Sequence, residues 1–368
     1  MAVSDARSNL QAVTTEQWFG MVLLAGLVVL LVDLVRRLVV GDIGVGTLGV
    51  FLWRGLVDGL VIALAAVGLS MTYSILRFAN FSHGDLVTTG AFTGWTAAYV
   101  VGGIGVAEFG SRVLLNADGA TSARDLDMHL FGAPLAIVVG VFIAAIATIL
   151  VALAIDRLVY RRMRTAGGIP LLIASVGVAL VLRYVIVFVY GERTRGVTRS
   201  SPTVDHTLIF WTDSLAVHQV TLVLVGVTLM VGLHLLLQYT TLGTSMRAMA
   251  DNRDLALITG IPTERVIVLT WIVGAGLTGV AGYLIVLEQE TLSFNTGWFL
   301  LLLIFAAVIL GGIGSIYGAI AGGVIIGLAT NVSLVWIPGD LTEVAAFALM
   351  IVILIFRPAG LFGGVETA

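Results

Sequence analysis

An all-α, polytopic bundle of transmembrane helices follows from three observations. Hydrophobic residues make up 59% of the 368-residue chain and charged residues 11%, whereas a soluble domain is about a quarter charged. Mean hydropathy is +1.07. The apolar runs are long and continuous and do not alternate, which excludes a membrane β-barrel. At a few tens of residues per span and loop, the length accommodates about nine or ten membrane segments.

Residues 1–17, MAVSDARSNLQAVTTEQ, are polar and lack a basic region leading into a short apolar core. They read as an exposed tail, not a cleavable signal. Residues 18–368 read as one multi-pass cell-membrane domain in contact with membrane lipids. Apolar spans are expected over 18–40, 50–76, 86–105, 131–156, 169–190, 216–239, 266–287, 298–310, 316–336 and 341–356. The stretch 298–310 is too short to cross straight and reads as broken or re-entrant.

Arginines in short loops orient the spans. RLVYRRMR at 157–164 carries four and is expected on the cytoplasmic side; the loop 240–265, with Arg247, Arg253 and Arg265, shares that side, as does Arg357. Counting back puts Arg36 and Arg37 outside, against the rule. Loops 191–215 and 288–297 then face outward, and Glu288 and Glu290 are expected to be solvated at that mouth.

Composition also excludes chemistries. A net charge of −3 argues against a nucleic-acid partner. The chain contains no cysteine and no lysine, so disulfides, thiol catalysis, a Schiff base and a Walker lysine are all ruled out. If ATP is the fuel, another chain binds it. The histidines at 83, 129, 206, 218 and 234 have no metal-ligand spacing, so no metal site is expected.

Glycine supplies packing faces. In GGIGSIYGAIAGGVIIG, Gly311, Gly312, Gly314, Gly318 and Gly322 are read as helix-packing positions, with Gly323 and Gly327 one position round. Small residues four apart let backbones approach closely. GAGLTGVAG, from Gly274 to Gly282, repeats the device.

One stretch departs from all this. LRFANFSHGDL gathers Asn80, Ser82, His83 and Asp85 between two apolar runs. Ser82 with Asp85 three residues on forms a capping-box pattern, predicting that one helix ends near Phe78 and another opens near His83. For His83 two readings stand: a hydrogen-bonded residue that fixes the loop, or a group on the solute path or in a gate. Arg183 lies deepest within its span and reads as an intramembrane functional charge or as a side chain snorkelling to the mouth. Arg54 and Asp58 are spaced to pair on one helix face.

Asn80-Phe81-Ser82-His83-Gly84-Asp85 resembles the Asn-Phe-Ala-His-Gly-Glu motif of permease subunits from ATP-binding-cassette importers for branched-chain amino acids. Asp254-Leu255-Ala256, followed after three residues by Gly260, is similar to the Glu-Ala-Ala-x3-Gly coupling motif of such permeases. LGGIGSIYGAIAGGVIIGL and FRPAGLFG also match, and the likeness covers roughly 50–365. The resemblance implies a non-enzymatic transport subunit that binds no cofactor itself, ATP being held by partner ATPase subunits. It implies a second permease, expected as a heterodimer, and an extracytoplasmic solute-binding protein that carries most of the affinity. Arg247, Arg253, Asp254, Ala256 and Gly260 would form the ATPase-coupling loop, with Ala256 small enough for close docking. Asn80, Ser82, His83, Gly84 and Asp85 would lie on the translocation path or gate.

Permeases of this kind also take urea, short amides or other amino acids, and the sequence leaves those substrates open. An ion-coupled secondary transporter would use the break at 77–85 but would not need the long cytoplasmic loop. An intramembrane serine protease would need Ser70 and His234 within hydrogen-bond reach.

Overall fold

The structure, a computed structural model, describes residues 25–26, 28–102, 132–197, 203–208 and 211–363. The expected tail, the start of the first span and much of the segment before residue 132 lie outside the described residues. Helix α1 covers 28–40, followed by α2 (Val45–Leu76), α3 (His83–Gly102), α4 (Pro134–Ile155) and α5 (Gly168–Tyr190). Strands β1 (Arg195–Gly196), β2 (Thr203–Leu208) and β3 (Trp211–Ala216) precede α6 (Val217–Tyr239), α7 (Thr241–Asp251), α8 (Arg253–Ile258) and α9 (Thr263–Gln289). Strand β4 (Thr291–Leu292), α10 (Thr296–Gly311), α11 (Ile316–Val332) and α12 (Thr342–Phe356) complete the chain.

Among the described residues, seven helices are long and apolar enough to cross a membrane. Helix α3 is less apolar because Thr88, Thr89, Thr93 and Thr96 follow its charged first turn, and α10 is the short helix anticipated at 298–310. The fold is an all-α membrane bundle, and its strands are confined to the loops. β1 pairs with β4 and β2 with β3, both antiparallel, so the two outward loops are stitched to each other through Arg195 opposite Leu292.

The two arginine-rich loops do share one end. Arg164 pairs with Glu264 at 2.7 Å and Arg161 approaches the same carboxylate at 3.5 Å. Arg36 and Arg37 sit at the opposite end, where Arg37 donates to the Val335 carbonyl. Asp33 bonds both arginines and accepts from the Trp336 indole. That local carboxylate offsets the charge that the orientation rule counts.

Glycine seams hold the centre. A Cβ on Gly327 would fall 2.3 Å from the Gly59 backbone, joining α11 to α2, and one on Gly322 would fall 2.0 Å from the Ala307 carbonyl, joining α11 to α10. Gly282 meets Val87 of α3 equally closely. Of the five glycines read as packing positions, Gly311, Gly318 and Gly322 make such contacts. Gly314 does not: its nearest neighbour is 3.8 Å away, and its φ of +86° makes it a turn residue. Gly312, at φ +108°, both turns the chain and packs against Gly363. The seams bury most of the central stretches of α2 and α9, whereas α5 and α12 stay largely uncovered and present apolar faces suited to lipid or a second subunit.

Candidate functional site

The polar stretch forms a knot inside the bundle. Helix α2 ends at Leu76, and Arg77 reverses the chain in a left-handed conformation, φ 57°. Residues 78–82 then re-enter the bundle without helical structure, and α3 opens at His83. The His83 Nε2 atom lies 2.9 Å from the Ala65 carbonyl, eleven residues before the end of α2 and thus about 17 Å from that end at 1.5 Å per residue. The break therefore sits deep between the two membrane faces.

Backbone groups at that depth need protein partners, and side chains from neighbouring helices supply them. Ser175 of α5 accepts from the Phe81 amide at 2.9 Å, and the Asn80 Oδ1 accepts from the Ser82 amide at 3.1 Å. The same Oδ1 accepts from the Ser82 hydroxyl at 2.7 Å and the Tyr160 phenol at 3.2 Å, while Ser82 and Tyr160 oxygens are 2.8 Å apart. Ser82 thus turns back to Asn80 and Tyr160, not forward as the cap expected from sequence, and Asp85 is engaged elsewhere.

Asp85 pairs with Arg183. Two guanidinium nitrogens lie 3.2 Å from its two oxygens, and the Asp85 side chain is fully buried. The guanidinium also sits 4.4 Å over the Trp298 ring. Arg183 therefore points inward and does not snorkel. Gly84 closes the cluster: a Cβ there would lie 2.7 Å from the Gly297 carbonyl, and Thr88 accepts from the Gly297 amide at 3.1 Å. The first turns of α3 and α10 consequently cross at this point. Asn80, Ser82, His83, Gly84 and Asp85 are all brought together and all buried, so in this conformation they close the bundle and line no open passage.

Sequence reasoning missed Tyr160, which read as part of a loop. Helix α4 instead continues through a π-helical turn, Asp156–Tyr160, to Met163. The extra residue in that turn lets Asp156 and Tyr160 both face inward, at 4% and 1% exposure. Asp156 holds Arg164 at 2.8 Å. The signal available in sequence was a tyrosine and an aspartate embedded in an arginine cluster.

At the arginine-rich end, the loop 240–265 folds into α7 and α8, hinged at Asn252, whose side chain caps α8 by accepting from the Leu255 amide at 3.0 Å. Gly260, at φ +87°, ends α8 in a conformation that favours glycine. Arg247 bonds the Leu237 carbonyl of its own chain. Arg253 and Asp254 are exposed, whereas Ala256 is 2% exposed and faces inward. The outward face carries Leu255, Leu257 and Ile258, exposed by 53%, 59% and 80%; the motif reading overlooked them.

At the other end, Glu288 is not solvated: its side chain is 13% exposed, accepts from Gln219 at 3.0 Å and lies 3.2 Å from the His218 Nε2. Asp58 accepts from Asn331 at 2.8 Å, with no salt bridge to Arg54. The protease arrangement is absent, because Ser70 donates to the Ser315 carbonyl while His234 bonds Tyr317.

Residues 51–354 match the family model for the permease component of branched-chain amino acid transport systems. The chain is 29% identical to the high-affinity branched-chain amino acid transport permease LivH of Escherichia coli, over 86% of this chain and 95% of that protein. It is 27% identical to BraD of Pseudomonas aeruginosa over 85% and 95%, and 29% identical to a probable LivH of Methanocaldococcus jannaschii over 82% and 89%. No solved structure matches. With the family's model spanning all the helices from α2 almost to the end of α12, the chain belongs to the permease family of branched-chain amino acid ABC transport systems.

Proposed function

We propose that this chain is one permease half of an ATP-driven importer of branched-chain amino acids, with separate ATPase subunits docked on α8. The observation that carries this reading is the exposed apolar face of α8. Leu255, Leu257 and Ile258 stand open at the arginine-rich end, and burying such a side chain is worth about 1.5–3 kcal/mol, so the face gains by accepting a partner. The relatives' names supply the substrate class.

Two bonded links join the helices on either side of α8 to the knot. Arg77 bonds the Ala250 carbonyl of α7, next to α8. Glu264, at the base of α9, holds Arg164, which holds Asp156 in the same turn that carries Tyr160. A displacement of α7 and α8 when ATPases close is thereby passed to both ends of the segment 77–82. In this reading Asn80, Ser82, His83, Gly84 and Asp85 are gate residues, not solute ligands. The stitched outer loops at β1 and β4 receive a solute-binding protein, and the second half of the path is a related permease.

Purification from native membranes in mild detergent, with partners identified by mass spectrometry, tests the assignment. An ATPase pair and a second permease should co-purify, and the assembled complex should take up leucine, isoleucine and valine. Leu257→Arg should release the ATPases while the permease stays folded in the membrane. Undiminished ATPase recovery with that variant would overturn the docking role.

A further inference from the structure

A cavity of about 690 Å³ opens at the end of the bundle opposite the arginine-rich loops, within the range of roughly 300–1,000 Å³ typical of small-molecule sites. Glu288, Glu290 and Glu343 line it on the side of the outer loops, and the rest of its walls combine three chemistries. Asp58 is held by Asn331 at 2.8 Å and keeps its second carboxylate oxygen for another donor. Arg54, one helical turn away on α2, is exposed and makes no hydrogen bond or salt bridge among the described residues. Ile62, Leu300 and Leu303 supply an apolar wall.

His218 lines the same cavity at 7% exposure, and its Nε2 lies 3.2 Å from Glu288, another lining residue. The inner wall is also telling. Ile62 stands one turn above Ala65, whose carbonyl holds His83, and Leu300 and Leu303 flank Leu301, which packs on Gly84. The cavity wall thus lies within one helical turn of residues that touch the knot.

We propose that this cavity is a subsite for a zwitterionic amino acid with an aliphatic side chain; the proposal rests on the importer reading above. Asp58 takes the α-ammonium. Arg54 takes the α-carboxylate. Ile62, Leu300 and Leu303 take the side chain. Positions i and i+4 on a helix stand about 6 Å apart at Cβ, a spacing that lets Arg54 and Asp58 reach the two charged groups on one α-carbon. The permease itself thus selects for an amino acid immediately above its gate, in addition to any selection by a binding protein.

Saturation-transfer NMR on the full chain in nanodiscs, with no solute-binding protein present, tests this with L-leucine, leucinamide and 4-methylpentanoate. L-Leucine should bind saturably. Arg54→Gln should weaken leucine about tenfold, the effect of losing one charged hydrogen bond, and leave leucinamide unchanged. Asp58→Asn should weaken leucine and leucinamide alike and leave 4-methylpentanoate unchanged. Leu303→Trp, which fills the cavity without touching a charge, should abolish all three signals, and gel filtration checks that each variant remains folded. Leucine uptake by the assembled transporter, with leucine binding that is absent or indifferent to Arg54 and Asp58, would overturn the subsite and leave the importer standing. Failure of both uptake and binding would overturn the two together.

Discussion

Replacing Asp85 by Asn tests the charge pair at the heart of the knot. The change preserves shape but leaves Arg183, 12% exposed, facing a neutral amide where two oxygens stood 3.2 Å away. Removing one partner of a buried pair costs about 3–5 kcal/mol because the other charge stays behind uncompensated. Arg183 keeps the Trp298 face at 4.4 Å in parent and variant alike, so that contact does not change the difference. At about 2 °C per kcal/mol for a chain of this size, the loss lowers Tm by roughly 6–10 °C. Thermal unfolding of the detergent-solubilised chain, followed by fluorescence-detected gel filtration, measures it. The double variant Asp85→Asn with Arg183→Gln should recover most of the loss, since replacing both members of a buried pair is close to neutral. A single variant within 1 °C of the parent, or a double variant losing the sum of the two singles, would refute the reasoning.

Two further expectations concern the scaffold of the knot. Tyr160→Phe removes the phenol that bonds Ser82 and Asn80 and should cost about 1–2 kcal/mol in the same unfolding assay, with leucine uptake less tightly coupled to ATP hydrolysis. Gly282→Ala should abolish a folded, monodisperse protein, because its Cβ would fall 2.0 Å from the Val87 carbonyl, whereas at Gly314 a Cβ would make only ordinary contact with Ser74 at 3.8 Å, so Gly314→Ala should cost about 1–2 kcal/mol, the strain of φ +86° alone.

What the sequence reveals of this molecule depends on whether the physics is local. Continuous apolar runs mark the spans because each must meet the thickness of a bilayer, and the break at 76–83 shows because Asn80, Ser82 and His83 cannot continue an apolar helix into lipid. The end of α8 is local in the same sense, because Gly260, at φ +87°, stops a helix by its own backbone chemistry. Partnerships across helices are not local. Nothing near Asp85 predicts Arg183, 98 residues away, and the capping-box pattern at Ser82 pointed to a local bond that tertiary partners displaced. The π-turn that swings Tyr160 inward leaves no period in so short a segment. Gly314 and Gly318 look alike in the repeat, but only the backbone at each position separates a turn from a seam. The small side chain of Ala256 says nothing by itself about which way it faces; the packing of α8 turns it in and sets Leu257 and Ile258 out.

The geometry of the knot also bears on the choice of energy source. Broken helices in ion-coupled transporters gather carbonyl ends and carboxylates around a cation near the midplane. Here the opposite polarity converges. The first turns of α3 and α10 meet through Gly84 and Gly297, and helix N-termini carry partial positive charge. Arg183 lies against both, bonded to Asp85 in the first turn of α3 and stacked on Trp298 in the first turn of α10. Among the described residues, the carboxylate at this crossing, Asp85, is already occupied by that arginine. A sodium ion placed there would face a full positive charge and two positive helix ends. On the importer reading proposed above, the knot would be opened by force from outside it, carried by the bonds from Arg77 to α7 and from Asp156, in the π-turn of Tyr160, to Arg164 and Glu264.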